Sequence, residues 1–178
     1  MGTLNQTLAK SEAKQKPVAL SSANSISASE VHQALKAWGD GLTAIAKTYA
    51  EKGNYREIAA EIIHNSYAYG SEEVLFKPTL ASKVMFRKTF DSALSYFVGG
   101  NKDYAEDSGF ALNPWVNVEF DIAGIKTGEK HALVMGNKLL TKKDGTTTVA
   151  NFTMGFTLVK DGTLKINLHH SSLPYSPV

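Results

Sequence analysis

Apolar residues recur at steps of four and three from Val31 through Leu35, Trp38, Leu42 and Ile45 to Tyr49. That spacing predicts one long amphipathic helix. Ser27 and Glu30 stand three apart ahead of it, as a capping box requires, and Gly53 marks its end. Gly39 and Gly41 inside it are locally unfavourable but permit close packing. A second helix is expected from Asn54, burying Ile58, Ile62 and Ile63 and stopping by Gly70. Residues 74–97 admit two readings. One is a single helix from Thr79 to Phe97; the other is a hairpin, Val74–Thr79 with Lys83–Arg87, followed by a helix capped at Thr89. Lys77-Pro78 favours extended backbone before the proline, and Phe90, Leu94 and Phe97 show helical steps, so the hairpin is preferred.

After Asn113-Pro114 the pattern turns to strand. Trp115–Ile122, Lys130–Thr141, Thr146–Lys160 and Thr163–Ser172 are separated by short polar turns, two of which contain Asp-Gly, a strong hairpin signal. Helices in the first half and a meander in the second make an α+β domain, with three helices packed on a strongly bent antiparallel sheet. Leu133, Met135 and Leu139 alternate with Ala132, Val134 and Leu140, so the sheet has two apolar faces and a homodimer is expected.

The last strand ends in Leu168-His169-His170-Ser171-Ser172-Leu173-Pro174. Alternation sends His169 and Ser171 to one face and His170 and Ser172 to the other. Leu164, Ile166 and Leu168 share parity with His170 and Ser172, which makes that pair the expected inward one. An imidazole and a hydroxyl at the mouth of an apolar cavity suit small-molecule chemistry; equally, they could satisfy buried backbone groups at a strand end.

The chain has 178 residues, enough for one domain. Residues 27–178 are read as that domain and residues 1–26, rich in Ser, Ala, Lys and Gln, as a flexible lead or linker. Nineteen Lys and Arg against 17 Asp and Glu give +2, and the lead carries that excess itself. A neutral body argues against nucleic-acid binding, and without a long apolar run no membrane span is expected. Cysteine is absent, which removes disulfides and thiolate metal sites. The five histidines show no metal-ligand spacing, so neither metal nor cofactor is expected.

Phe76-Lys77-Pro78-Thr79, the segment Ala93 to Gly100, Asn113-Pro114-Trp115, Met135-Gly136-Asn137 and the terminal His-His-Ser-Ser-Leu-Pro block together resemble the iota-class carbonic anhydrases. The resemblance spans roughly residues 28–175. It implies the nuclear transport factor-like cone, an α+β barrel shared with SnoaL-like cyclases and the association domain of calmodulin-dependent kinase. It also implies reversible hydration of carbon dioxide to bicarbonate, in several members without a metal, with a Thr, a Tyr and a Ser holding the substrate oxygens beside a His. The matching positions are Thr79, Tyr96 and either His170 with Ser172 or His169 with Ser171; strand parity favours the former. The remaining pair is assigned to substrate binding with the apolar walls Phe97, Phe152 and Phe156. The site needs the hairpin reading, because one helix would separate Thr79 from Tyr96 by about 25 Å at ~1.5 Å per residue. Members of the class place the chain in a chloroplast if algal or in the cytoplasm if bacterial.

Each candidate also has a plain structural reading. Thr79 could cap a turn, and Tyr96 could be a core-edge aromatic. Tyr67 and Tyr69 could line the cavity mouth or simply pack a helix. Two other functions compete: a non-catalytic association domain, and a SnoaL-like isomerase or hydratase that would need a carboxylate such as Asp91 or Glu119 deep in the cone, and a pocket of several hundred Å³.

Overall fold

A computed structural model describes residues 25–177. The first helix, α1 (Ala28–Ala50), begins at the expected capping box: Ser27 accepts from the Glu30 N–H, and the Glu30 carboxylate reaches back to the Ser27 N–H at 2.8 Å. Its stripe of Val31, Leu35, Trp38, Leu42 and Ile45 is buried. The lead expected over 1–26 lies outside the described residues except for Ser25 and Ile26. Ile26 belongs to the packed body: it is buried, and its N–H bonds the Gly128 carbonyl at 2.9 Å.

Helix α2 (Tyr55–Ser66) is capped by Asn54, and α3 (Phe90–Val98) by Thr89. The continuous helix from Thr79 is thereby excluded. The preferred hairpin is half right. Strand β1 (Leu75–Lys77) forms, but residues 83–87 are loop, and β1 pairs in parallel with the last strand rather than with a hairpin partner. Arg87 supplies the single trace of the expected pairing, its N–H bonding the Phe76 carbonyl at 2.8 Å.

Strands β2 (Trp115–Thr127), β3 (His131–Lys142), β4 (Thr147–Leu158) and β5 (Leu164–Ser172) form the predicted antiparallel meander. The whole sheet runs β1-β5-β4-β3-β2, a mixed and open sheet with the helices on one face. Ala132, Val134 and Leu140 of β3 and Phe152, Met154 and Phe156 of β4 meet the helices in the core; Leu133 and Met135 are half exposed on the outer face.

The parity expected for β5 is overturned. Gly155 pairs with Leu168 and Phe156 with Ile166, which leaves Asn167 as an extra residue. This is a β-bulge, which offsets alternation by one position. Leu164 and Ile166 point into the core, and beyond the bulge His169 and Ser171 do so, each 2 % exposed, while His170 is exposed. Gly155 makes room for the bulge: a Cβ there would lie 2.9 Å from both Asn167 Oδ1 and Leu168 Cβ.

Candidate active site

The inward end of β5 faces a small hollow lined by Trp38, Phe76, Thr79, Tyr96, Lys138, His169 and Ser171, among others. About 10 Å³ is open to the centre of a water-sized molecule, about what one water needs, so the walls must move apart slightly to admit carbon dioxide beside it.

Thr79 arrives on the loop after β1. Phe76 pairs with His169 across the parallel ladder, Lys77 Nζ donates to the Ser171 carbonyl at 3.2 Å, and Pro78 turns the chain toward the hollow. The loop is held from below. The Arg87 guanidinium is fully buried, bonding Asp107 at 2.6 Å and the Val84 carbonyl. The Glu106 carboxylate collects the N–H groups of Ser82, Lys83 and Val84, and these bonds hold its pKa down to about 2. Asp107 also accepts from Ser95 Oγ at 2.7 Å, which ties the loop to α3. The next residue on α3 is Tyr96. Its hydroxyl accepts from the Leu80 N–H at 3.4 Å and lies against Thr79, so the two predicted groups do meet. Burial raises the Tyr96 pKa, and its proton stays on oxygen.

His169 is the hub of a buried chain. Trp38 Nε1 donates to the Tyr67 hydroxyl at 3.0 Å, that hydroxyl lies 2.7 Å from His169 Nδ1, and His169 Nε2 lies 3.1 Å from Lys138 Nζ. Phe76 stacks on the imidazole with centroids 5.0 Å apart, and Trp38 meets it edge-on at 5.5 Å. Burial first, then Lys138 and His170, drive the His169 pKa well below the usual histidine value, so the ring is neutral. Burial brings the Lys138 amine down to about 7. Ser171 Oγ donates to the Asn151 carbonyl at 3.1 Å.

Phe97 lines the hollow as expected, whereas Phe152 and Phe156 are core residues that do not reach it; Trp38, Phe76 and Phe110 form walls instead. His170 and Ser172 lie on the far side of the sheet, in an open depression with Asn137, Asn151 and Thr153. Sequence reasoning missed Lys138, although it shares parity with the buried Ala132, Val134 and Leu140, and it undervalued Tyr67. Among the described residues no group of three His, Cys, Asp or Glu side chains is placed to hold a metal. Asp91 and Glu119, the carboxylates an isomerase would need, are both exposed.

Residues 29–173 match the family model described as metal-independent carbonic anhydrase. A metal-independent carbonic anhydrase of Nostoc sp. is 46 % identical over 153 residues, covering 84 % of this chain and 75 % of the relative. The crystal structure of a cyanobacterial iota-carbonic anhydrase complexed with bicarbonate superposes with a TM-score of 0.84 at 44 % identity, covering 86 % of this chain and 96 % of that one. A Xanthomonas campestris protein assigned as a calcium/calmodulin dependent protein kinase II association domain shares the fold, with a TM-score of 0.58 at 18 % identity over 93 % of this chain and 99 % of that one.

Proposed function

This chain belongs to the metal-independent carbonic anhydrase family, whose reaction is the reversible hydration of carbon dioxide to bicarbonate, and we propose that the hollow between Thr79, Tyr96, His169 and Ser171 is where it carries that reaction out. The observation that carries this assignment is the convergence of those four polar side chains, from three separate stretches of sequence, on a space too small for a larger substrate.

The division of labour follows from which protons are already committed. The Tyr96 oxygen accepts from the Leu80 N–H, and Tyr96 and Thr79 hydrogen-bond each other, so of their two hydroxyl protons one is left for a substrate oxygen. It donates where negative charge grows as carbon dioxide bends, the work of an oxyanion hole. Ser171 has spent its proton on Asn151 but keeps its lone pairs. It therefore orients the attacking water by accepting one of that water's hydrogens. Apolar walls from Phe76, Phe97 and Trp38 suit carbon dioxide itself and exclude bulk water, strengthening each of these bonds. The proton released enters the buried network centred on His169.

The bicarbonate bound in the cyanobacterial structure supports the substrate. The size of the hollow and the exposure of Asp91 and Glu119 speak against the isomerase reading. We also propose a homodimer through the outer sheet face, supported by Leu133 and Met135 at 50 % and 54 % exposure; light scattering should give twice the chain mass, and a monomer would refute it.

Stopped-flow hydration of carbon dioxide by chelator-treated protein tests the activity. A rate well above the buffer blank is expected, and a rate equal to the blank would leave an association domain as the better description.

A further inference from the structure

Resting on the reading that carbon dioxide is hydrated in this hollow, we propose that Lys138 is a substrate-binding residue there. Its amine donates N–H groups to the oxygen that gains charge, and to bicarbonate once that has formed. The side chain is 2 % exposed and lines the hollow. Burying an amine is costly unless its hydrogens find acceptors, and the protein supplies few. The strand neighbours of Lys138 are Phe120 on β2 and Ala150 on β4. Trp38 from α1, Tyr96 from α3 and His169 from β5 line the hollow with it, and Tyr67 stands behind His169. No carboxylate is among them.

The amine has one hydrogen-bonded partner among the described residues, His169 Nε2 at 3.1 Å. Counting hydrogens shows what that bond leaves over. If Nε2 carries the ring proton, it donates to the amine's lone pair, and the neutral amine keeps both of its N–H groups. If the ring proton sits on Nδ1, facing the Tyr67 hydroxyl, an ammonium spends one of its three N–H groups on Nε2 and keeps two. Two spare donors therefore exist in both charge states. The face of Trp38, 4.9 Å from Nζ, is the one other acceptor nearby, and a ring face is a weak one.

The other polar side chains around the hollow have far less to give. Trp38 Nε1 is committed to Tyr67, Ser171 Oγ to the Asn151 carbonyl, and the His169 ring proton to Lys138 or to Tyr67. Tyr96 and Thr79 keep one hydroxyl proton between them. Lys138 thus holds most of the unengaged polar hydrogens on these side chains. Hydration puts negative charge on a carbon dioxide oxygen inside the same small space, and that oxygen is the acceptor the spare N–H groups lack. A donor to the attacking water would instead occupy a lone pair that has to reach carbon. Burial brings the amine to about 7, an anion beside it favours the charged form, and a charged donor makes the stronger bond.

The test titrates wild-type protein, labelled with ¹⁵N at the lysine amines, with bicarbonate at fixed pH, with chloride as the control. Lys138 Nζ, assigned through its proximity to the Trp38 ring, should shift saturably with bicarbonate and stay in place with chloride. Lys138→Met, assayed by stopped flow, should lose about 10²–10³-fold in hydration rate, as removal of an oxyanion donor does. A resonance that ignores saturating bicarbonate, or that moves equally with chloride, would overturn the role while leaving hydration in the hollow intact. So would a folded Met variant within about threefold of wild type. Should that variant fail to fold, the titration decides alone. A wild type no faster than the buffer blank would overturn the activity itself, and this role with it.

Discussion

The two faces of one strand carry the same chemistry into opposite surroundings. His169 and Ser171 are buried against Phe76, Tyr67 and Lys138, while one residue along each, His170 and Ser172 sit on the outer face beside Asn137 and Asn151. The same residue types become a candidate active site or a surface patch according to one extra residue upstream, the bulge at Asn167. Environment does the rest. Inside, burial keeps His169 neutral and brings a lysine amine within reach of neutrality.

The largest stability difference between the faces should come from one buried ion pair. Asp107→Ala would take from the buried Arg87 guanidinium the nearer of its two carboxylates, leaving Glu106 at 3.7 Å, which is expected to cost about 1.5–3 kcal/mol in chemical denaturation. Asp121→Ala on the outer face loses one exposed bond to Asn137 and should cost less than about 0.5 kcal/mol. Equal costs would mean that the Asp107 ion pair does not hold the inner loop.

In activity, Ser171→Ala and His169→Gln should each lower hydration about 10²–10³-fold, the usual effect of losing one aligned polar group; Ser172→Ala and His170→Gln should leave it within about threefold. The reverse ranking would place the chemistry on the outer face. Gly155→Val probes the device that separates the faces. Its side chain meets Asn167 and Leu168, so overpacking should cost about 1–3 kcal/mol and activity should fall as the inner pair is displaced. A fully active, fully stable variant would show that Gly155 does not hold the bulge.

Per pH unit, the gentlest effects are in pH dependence. The folded-state pKa of Lys138 is depressed, so between about 7 and its unfolded value near 10.4 the unfolded chain binds the extra proton and stability rises with pH, by at most about 1.4 kcal/mol per unit. Below that window the penalty is complete. His169 is depressed below the ordinary histidine value, so stability also falls as pH drops beneath about 6.5. Lys138→Met should erase the alkaline slope and keep the acid one; an unchanged alkaline slope would assign it elsewhere.

Much of this was legible in the residues. Ser27 with Glu30 located the first helix, Thr89 located the third, and the Asp-Gly turns gave the meander. Lys77-Pro78 argued correctly against a helix beginning at Thr79, although it placed Thr79 at the end of a strand and not in the turn it occupies. Parity failed at β5 because a bulge leaves no mark in local periodicity: Leu164, Ile166 and Leu168 look like one regular face, and only pairing with Gly155 reveals the slip. The parallel partner of β1 lies about 90 residues away, beyond any local signal. Lys138 had a signal, a lysine within an inward-facing alternation, but a charged residue there reads as a solvated position until its surroundings are known.

Diffraction from a crystal soaked in bicarbonate bears most directly on the central claim. The anion should lie between Thr79, Tyr96 and Ser171, with Lys138 Nζ within hydrogen-bonding distance. Bicarbonate bound instead beside His170 and Ser172, with the inner hollow empty, would contradict it.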